Sequence, residues 1–64
     1  MSLKNYQTMD VNLLLGLINT TLRNDCDSLD DLVKRYDLDE SILTGRLESI
    51  GVRYYPELNQ FRPA

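Results

Sequence analysis

The spacing of the apolar residues behind Asp10 constrains this chain most. Val11, Leu14, Leu15, Ile18 and Leu22 recur at i, i+3, i+4 and i+7, the period of a helix buried along one face. Asp10 stands where a side chain caps the first turn, so the pattern predicts a helix over about 10–24. Two further leucines, Leu13 and Leu17, lie off that stripe, with the small residues Gly16 and Thr20 beside them. One core does not easily bury both sets. Leu13 and Leu17 must be covered by the N-terminal segment through Leu3, Tyr6 and Met9, be covered by a partner, or be left exposed.

The remaining chain divides just as clearly. Asn24-Asp25-Cys26-Asp27 is a break. Ser28 followed by Asp31 has the form of a capping box, and Leu29, Leu32, Val33 and Tyr36 supply one apolar face, predicting a helix over about 28–36. Asp37 fits a left-handed turn position. Asp39 caps a third helix over about 39–50, with Leu38 and Leu43 spaced as a hydrophobic staple and Leu43, Leu47 and Ile50 as the inner stripe. Gly51 is placed to end that helix. Val52-Arg53-Tyr54-Tyr55 and Gln60-Phe61-Arg62 flank Pro56-Glu57-Leu58-Asn59, which predicts a hairpin over 52–62 with Tyr54 and Phe61 facing the core. The expected architecture is mainly α (α+β): one domain over 1–64, with an N-terminal segment 1–9, a three-helix, helix-turn-helix-like bundle and a short C-terminal β-hairpin in the place of a wing.

Small size limits stability, since a chain of 64 residues buries only about 60% of its unfolded surface. A single cysteine excludes a disulfide framework and a thiolate zinc site, and the absence of histidine removes the commonest general base and metal ligand. No apolar run approaches a membrane span, and no basic-then-apolar leader is seen, so neither a membrane segment nor a secretory signal is expected.

The net charge of −3 is unevenly placed. Residues 25–40 hold seven acids and two bases, a net of −5, while 1–24 and 41–64 are each +1. That run reads as a solvated face with helix N-terminal carboxylates, or as a docking site for a basic partner.

Residues 28–62 resemble a small winged helix-turn-helix domain in the apolar skeleton Leu32, Tyr36, Leu38, Leu43, Leu47, Ile50, Gly51 and Val52. They depart from it at Val33, where alanine is common, and at Asp37, where glycine is. A wider resemblance rests on Met9-Asp10, Ile18-Asn19-Thr20-Thr21-Leu22-Arg23, Ser28-Leu29-Asp30-Asp31-Leu32, Ile50-Gly51 and Asn59-Gln60-Phe61. In these the chain is similar to a small bacterial family, the domain of unknown function 4250, departing at Thr21, where lysine is expected, and at the inserted Asn24. That resemblance implies a cytoplasmic single-domain protein and no activity.

In a winged helix the third helix would meet DNA, with contacts from Ser41, Thr44 and Arg46 and from Arg53 and Arg62 on the wing. Its N-terminus instead carries Asp39 and Glu40, and the preceding helix starts among Asp27, Asp30 and Asp31, the wrong sign for phosphate. Asp37, Asp39, Ser41 and Glu48 fall at positions 1, 3, 5 and 12 of a calcium loop, but Ile42 occupies the position that needs glycine, so no metal site is expected. Carboxylates beside Cys26 disfavour its thiolate. Asn19-Thr20-Thr21 matches a glycosylation pattern only by chance. No catalytic residue, cofactor, small-molecule substrate or membrane partner is expected. The preferred reading is a protein-interaction or regulatory module, not an enzyme, that associates with itself or another protein through Leu13, Gly16, Leu17 and Thr20. The competing reading is a winged-helix-like DNA-binding regulator.

Overall fold

The computed structural model describes residues 3–64. Three helices, α1 (Val11–Asn24), α2 (Leu29–Arg35) and α3 (Glu40–Glu48), precede an antiparallel hairpin of β1 (Val52–Tyr55) and β2 (Gln60–Pro63). This is the α+β order expected from the sequence. The winged-helix likeness is loose, because two members of its apolar skeleton, Tyr36 and Ile50, lie at the surface.

Each helix begins where a side-chain oxygen meets an otherwise unpaired N–H two or three residues on. Asp10 accepts from the Leu13 N–H, Ser28 from the Asp31 N–H and Asp39 from the Ile42 N–H, each at 3.1 Å. The Asp31 carboxylate reaches back to the Asp27 N–H at 3.2 Å, so the shorter acid of this capping box serves the residue before the cap. Asp37 ends the α2 segment at φ 55°, and the Leu38 N–H closes on the Val33 carbonyl at 2.9 Å, the long bond of a Schellman motif.

Leu14, Ile18 and Leu22 of α1, Leu32 of α2, and Leu43 and Leu47 of α3 are fully buried. Leu3, Tyr6, Cys26, Leu29, Val33, Val52 and Phe61 complete the core. Two expected members do not join it. Ile50 is 37% exposed, because α3 finishes in tight i→i+3 bonds, Ile50 N–H to the Leu47 carbonyl and Gly51 N–H to that of Glu48. This tightening turns Ile50 off the helical stripe. Gly51, at φ 82°, then reverses the chain, and Val52 takes the buried place. Tyr36 is the C-cap residue of α2, where the chain leaves the helix, and it is 37% exposed.

The N-terminal segment is built into this core. Tyr6 is buried, its hydroxyl accepts from the Asp39 N–H at 3.0 Å, and its carbonyl accepts from Arg46 at 2.6 Å. The hairpin turns at Pro56–Asn59 with Asn59 at φ 51°, and Tyr54 packs on Phe61 with ring centroids 5.5 Å apart.

Two side-chain amides fix the hairpin to the helices. Asn19 donates to the Phe61 carbonyl at 3.0 Å and accepts from the Phe61 N–H at 2.7 Å, as a neighbouring strand would. Asn59 donates to the carbonyls of Leu22 and Cys26, both at 3.0 Å, and accepts from the Tyr54 hydroxyl at 2.7 Å. That hydroxyl in turn accepts from the Leu29 N–H at 3.2 Å.

Leu47→Ala should remove about 2–5 kcal/mol, comparable to the stability of so small a domain, and leave the chain largely unfolded in a thermal melt. Asn59→Gly keeps the positive φ but deletes the amide, stranding two carbonyls and a hydroxyl. Urea denaturation should show a loss on the order of 1–3 kcal/mol.

Candidate functional site

The α1 helix offers the first candidate surface. Positions 13, 16, 17 and 20 share one side of a helix, one turn and two turns apart. Leu13 is 56% exposed, Gly16 and Thr20 are exposed, and Leu17 is half-buried against the core. Leu17 lies about 40° round the helix from Leu13, closer to the buried stripe, which is why the two leucines part company. The N-terminal segment, although packed into the core, leaves Leu13 uncovered. A Cβ built on Gly16 meets nothing within 4 Å, so this side of the helix is open. From Val11 to Leu22 the helix carries no charged side chain.

The α3 surface differs from the expected one. Ser41, Ile42, Gly45 and Glu48 are exposed, with Ile42 at 39%. Thr44 is half-buried and returns its hydroxyl to the Glu40 carbonyl at 2.8 Å. Arg46, the one cation of this helix, is held on the Tyr6 carbonyl. The five residues expected to contact nucleic acid are therefore not all presented to solvent. Ser41, Arg53 and Arg62 face solvent, while the functional groups of Thr44 and Arg46 bond to the protein's own main chain.

Arg53 and Arg62 are directly opposite each other in the ladder, and Tyr55 opposes Gln60. Since Val52, Tyr54 and Phe61 turn inward, these four share the outer face of the hairpin. The Arg53 guanidinium lies over the Tyr55 ring, 5.3 Å from its centroid, and Arg62 donates to the Gln60 amide oxygen at 3.3 Å.

Three of the seven acids in residues 25–40, Asp30, Asp31 and Asp39, have carboxylates engaged in local structure. Asp31 and Asp39 serve helix starts, and Asp30–Lys34 and Asp31–Arg35 form exposed pairs at 2.9 and 3.5 Å. Cys26 is buried, and that burial pushes its thiol pKa up. Arg35 pulls it back, and Asp31, Asp25 and Asp27 raise it further. Among the described residues no three acidic, cysteine or histidine side chains gather to hold a metal ion, and no helix is long and apolar enough to cross a membrane.

Sequence reasoning missed what Asn19, Asn59, Tyr6 and Tyr54 do with their polar atoms. Asn19 stands in the glycosylation-like triplet, and both asparagines belong to the motifs that carried the family resemblance. Their side chains bond across 42 and 33–37 residues of sequence, which no local pattern reveals.

Compared with known proteins, the chain matches the family model of a domain of unknown function (DUF4250) over residues 8–61. No curated protein and no solved structure matches it. The matched span runs from just before the α1 cap to Phe61, and so takes in all three helices and both amide contacts.

With Arg46 withdrawn, no measurable binding to mixed duplex DNA is expected at moderate salt, as read by fluorescence anisotropy. Tight binding that falls steeply with salt would show phosphates being neutralised and would direct attention to Arg53 and Arg62.

Proposed function

The chain belongs to the DUF4250 family, and we propose that it acts as a protein-interaction module that pairs with a second copy of itself through the outer side of α1. The observation that carries this reading is Leu13, a large apolar side chain more than half exposed on a charge-free helix face beside an open glycine. A chain of net charge −3 meets electrostatic opposition when it approaches its own copy, and this face imposes least of it. Under twofold symmetry Leu13 of each copy would pack against the Gly16–Thr20 region of the other, so that both leucines leave water together. Association would also add stability that a 64-residue chain without a disulfide lacks.

The proposal assigns no catalysis. The chain has no histidine, and its only thiol is buried, with burial pushing its pKa up, away from the thiolate that a nucleophile needs. It also places the protein in the cytoplasm, where a lone thiol stays reduced. DNA binding is the weaker reading, because it retains only the two hairpin arginines as solvent-facing cations among its proposed contacts.

Leu13→Lys tests the pairing better than a change at Leu17, which is half-buried and needed by the core. Sedimentation across a wide concentration range should give a concentration-dependent dimer for the unaltered chain and a folded monomer for Leu13→Lys. Thermal midpoints should rise with concentration only for the former. A chain that stays monomeric at the highest concentration would refute the proposal.

A further inference from the structure

The hairpin carries a second surface whose chemistry is unlike that of α1. Phe61 directs both its N–H and its carbonyl to Asn19, away from β1. In an antiparallel ladder such a residue belongs to a non-hydrogen-bonded pair, so its partner Tyr54 points its own main-chain groups to the outer edge of β1. Outside the ladder, neither the Tyr54 N–H nor its carbonyl has a hydrogen-bond partner among the described residues, and within it the Tyr54–Phe61 pair exchanges none. Unpaired main-chain groups belong in water, so this edge is open.

Beside that edge, Arg53 projects onto the outer face directly opposite Arg62. Like charges so placed weaken a sheet. The chain has ten carboxylates, yet the two ion pairs among the described residues join Lys34 to Asp30 and Arg35 to Asp31, and neither hairpin guanidinium receives an acid. An open donor–acceptor edge and two carboxylate-free guanidiniums therefore lie together on one short hairpin.

We propose that the outer edge of β1 takes an extended acidic segment of a partner protein, added as a third strand. Its main chain pairs with Tyr54, and acidic side chains at alternate positions, which a strand places on one face, meet Arg53 with Arg62 behind it. Arginine binds a carboxylate through two parallel N–H donors, which gives the site its preference for acids. Single-stranded nucleic acid fits this surface less well. Two cations release few counterions, Arg53 already covers one face of Tyr55, and an alternating N–H and carbonyl edge complements a peptide main chain. The site stands apart from the α1 pairing, because β2, not β1, is the strand that Asn19 ties to α1.

The test follows the amide spectrum of the isotope-labelled full chain with three probes: a ten-residue peptide alternating glutamate and valine, its lysine–valine counterpart, and a ten-residue oligothymidylate. The glutamate peptide should shift the Tyr54 amide and its strand neighbours. Arg53→Gln combined with Arg62→Gln should weaken that binding about tenfold or more, with the rest of the spectrum and the melting midpoint preserved. Leu13→Lys should bind the peptide as the unaltered chain does, which separates this site from self-association. An unmoved Tyr54 amide, equal binding by the doubly altered chain, equal binding of the lysine peptide, or tighter binding of the oligonucleotide would each overturn the proposal.

Discussion

The structure depends on how the hairpin is held to the helices, and that task falls to two asparagine amides. The carbonyl of Leu22, near the end of α1, has no partner within its helix, and the Cys26 carbonyl lies in the break that follows. Asn59 satisfies both with one NH2 group and orients Tyr54 with its oxygen, and the Tyr54 hydroxyl meets the Leu29 N–H at the start of α2. One side chain thus joins the hairpin turn, the end of α1 and the entry to α2. Asn19 does comparable work one turn earlier by pairing with Phe61 as a strand would. A two-stranded hairpin is marginal alone in water, so these contacts and the burial of Val52 and Phe61 give it a fixed place.

The same economy governs the N-terminal segment. Tyr6 contributes a buried ring, an acceptor for the Asp39 N–H and a carbonyl for Arg46. The segment therefore packs the core, supports the start of α3 and withdraws the only cation of that helix from its outer face. This last consequence bears on function. A helix that a winged-helix skeleton would present to DNA instead shows Ser41, Ile42, Gly45 and Glu48. The surfaces that remain are an uncharged side of α1 and an arginine-bearing hairpin, one suited to a like surface and the other to an acidic one.

Much of the fold was legible in the sequence because its determinants are local. Asp10, Ser28 and Asp39 cap the helices they were assigned to, and Asp37, Gly51 and Asn59 adopt the positive φ that their small or amide-bearing side chains tolerate. The apolar stripe of α1 was read correctly, as were Leu43 and Leu47 of α3. Ile50 was not, since a helical period says nothing about where the last turn tightens. Of the two leucines off the α1 stripe, the helical period sets Leu17 nearer the core than Leu13, and the structure leaves Leu17 half-buried and Leu13 exposed.

By itself, then, the sequence determined three short helices, their caps, the breaks between them and a hairpin with Tyr54 and Phe61 inward. Capping, turn geometry and side-chain period act over a few residues, so the chain states them directly. Tertiary structure alone decided that Arg46 turns back onto Tyr6 and that Asn19 and Asn59 close the molecule. Those outcomes rest on hydrogen bonds and contacts between residues 33–42 positions apart, and such partners exist only once the elements have been brought together.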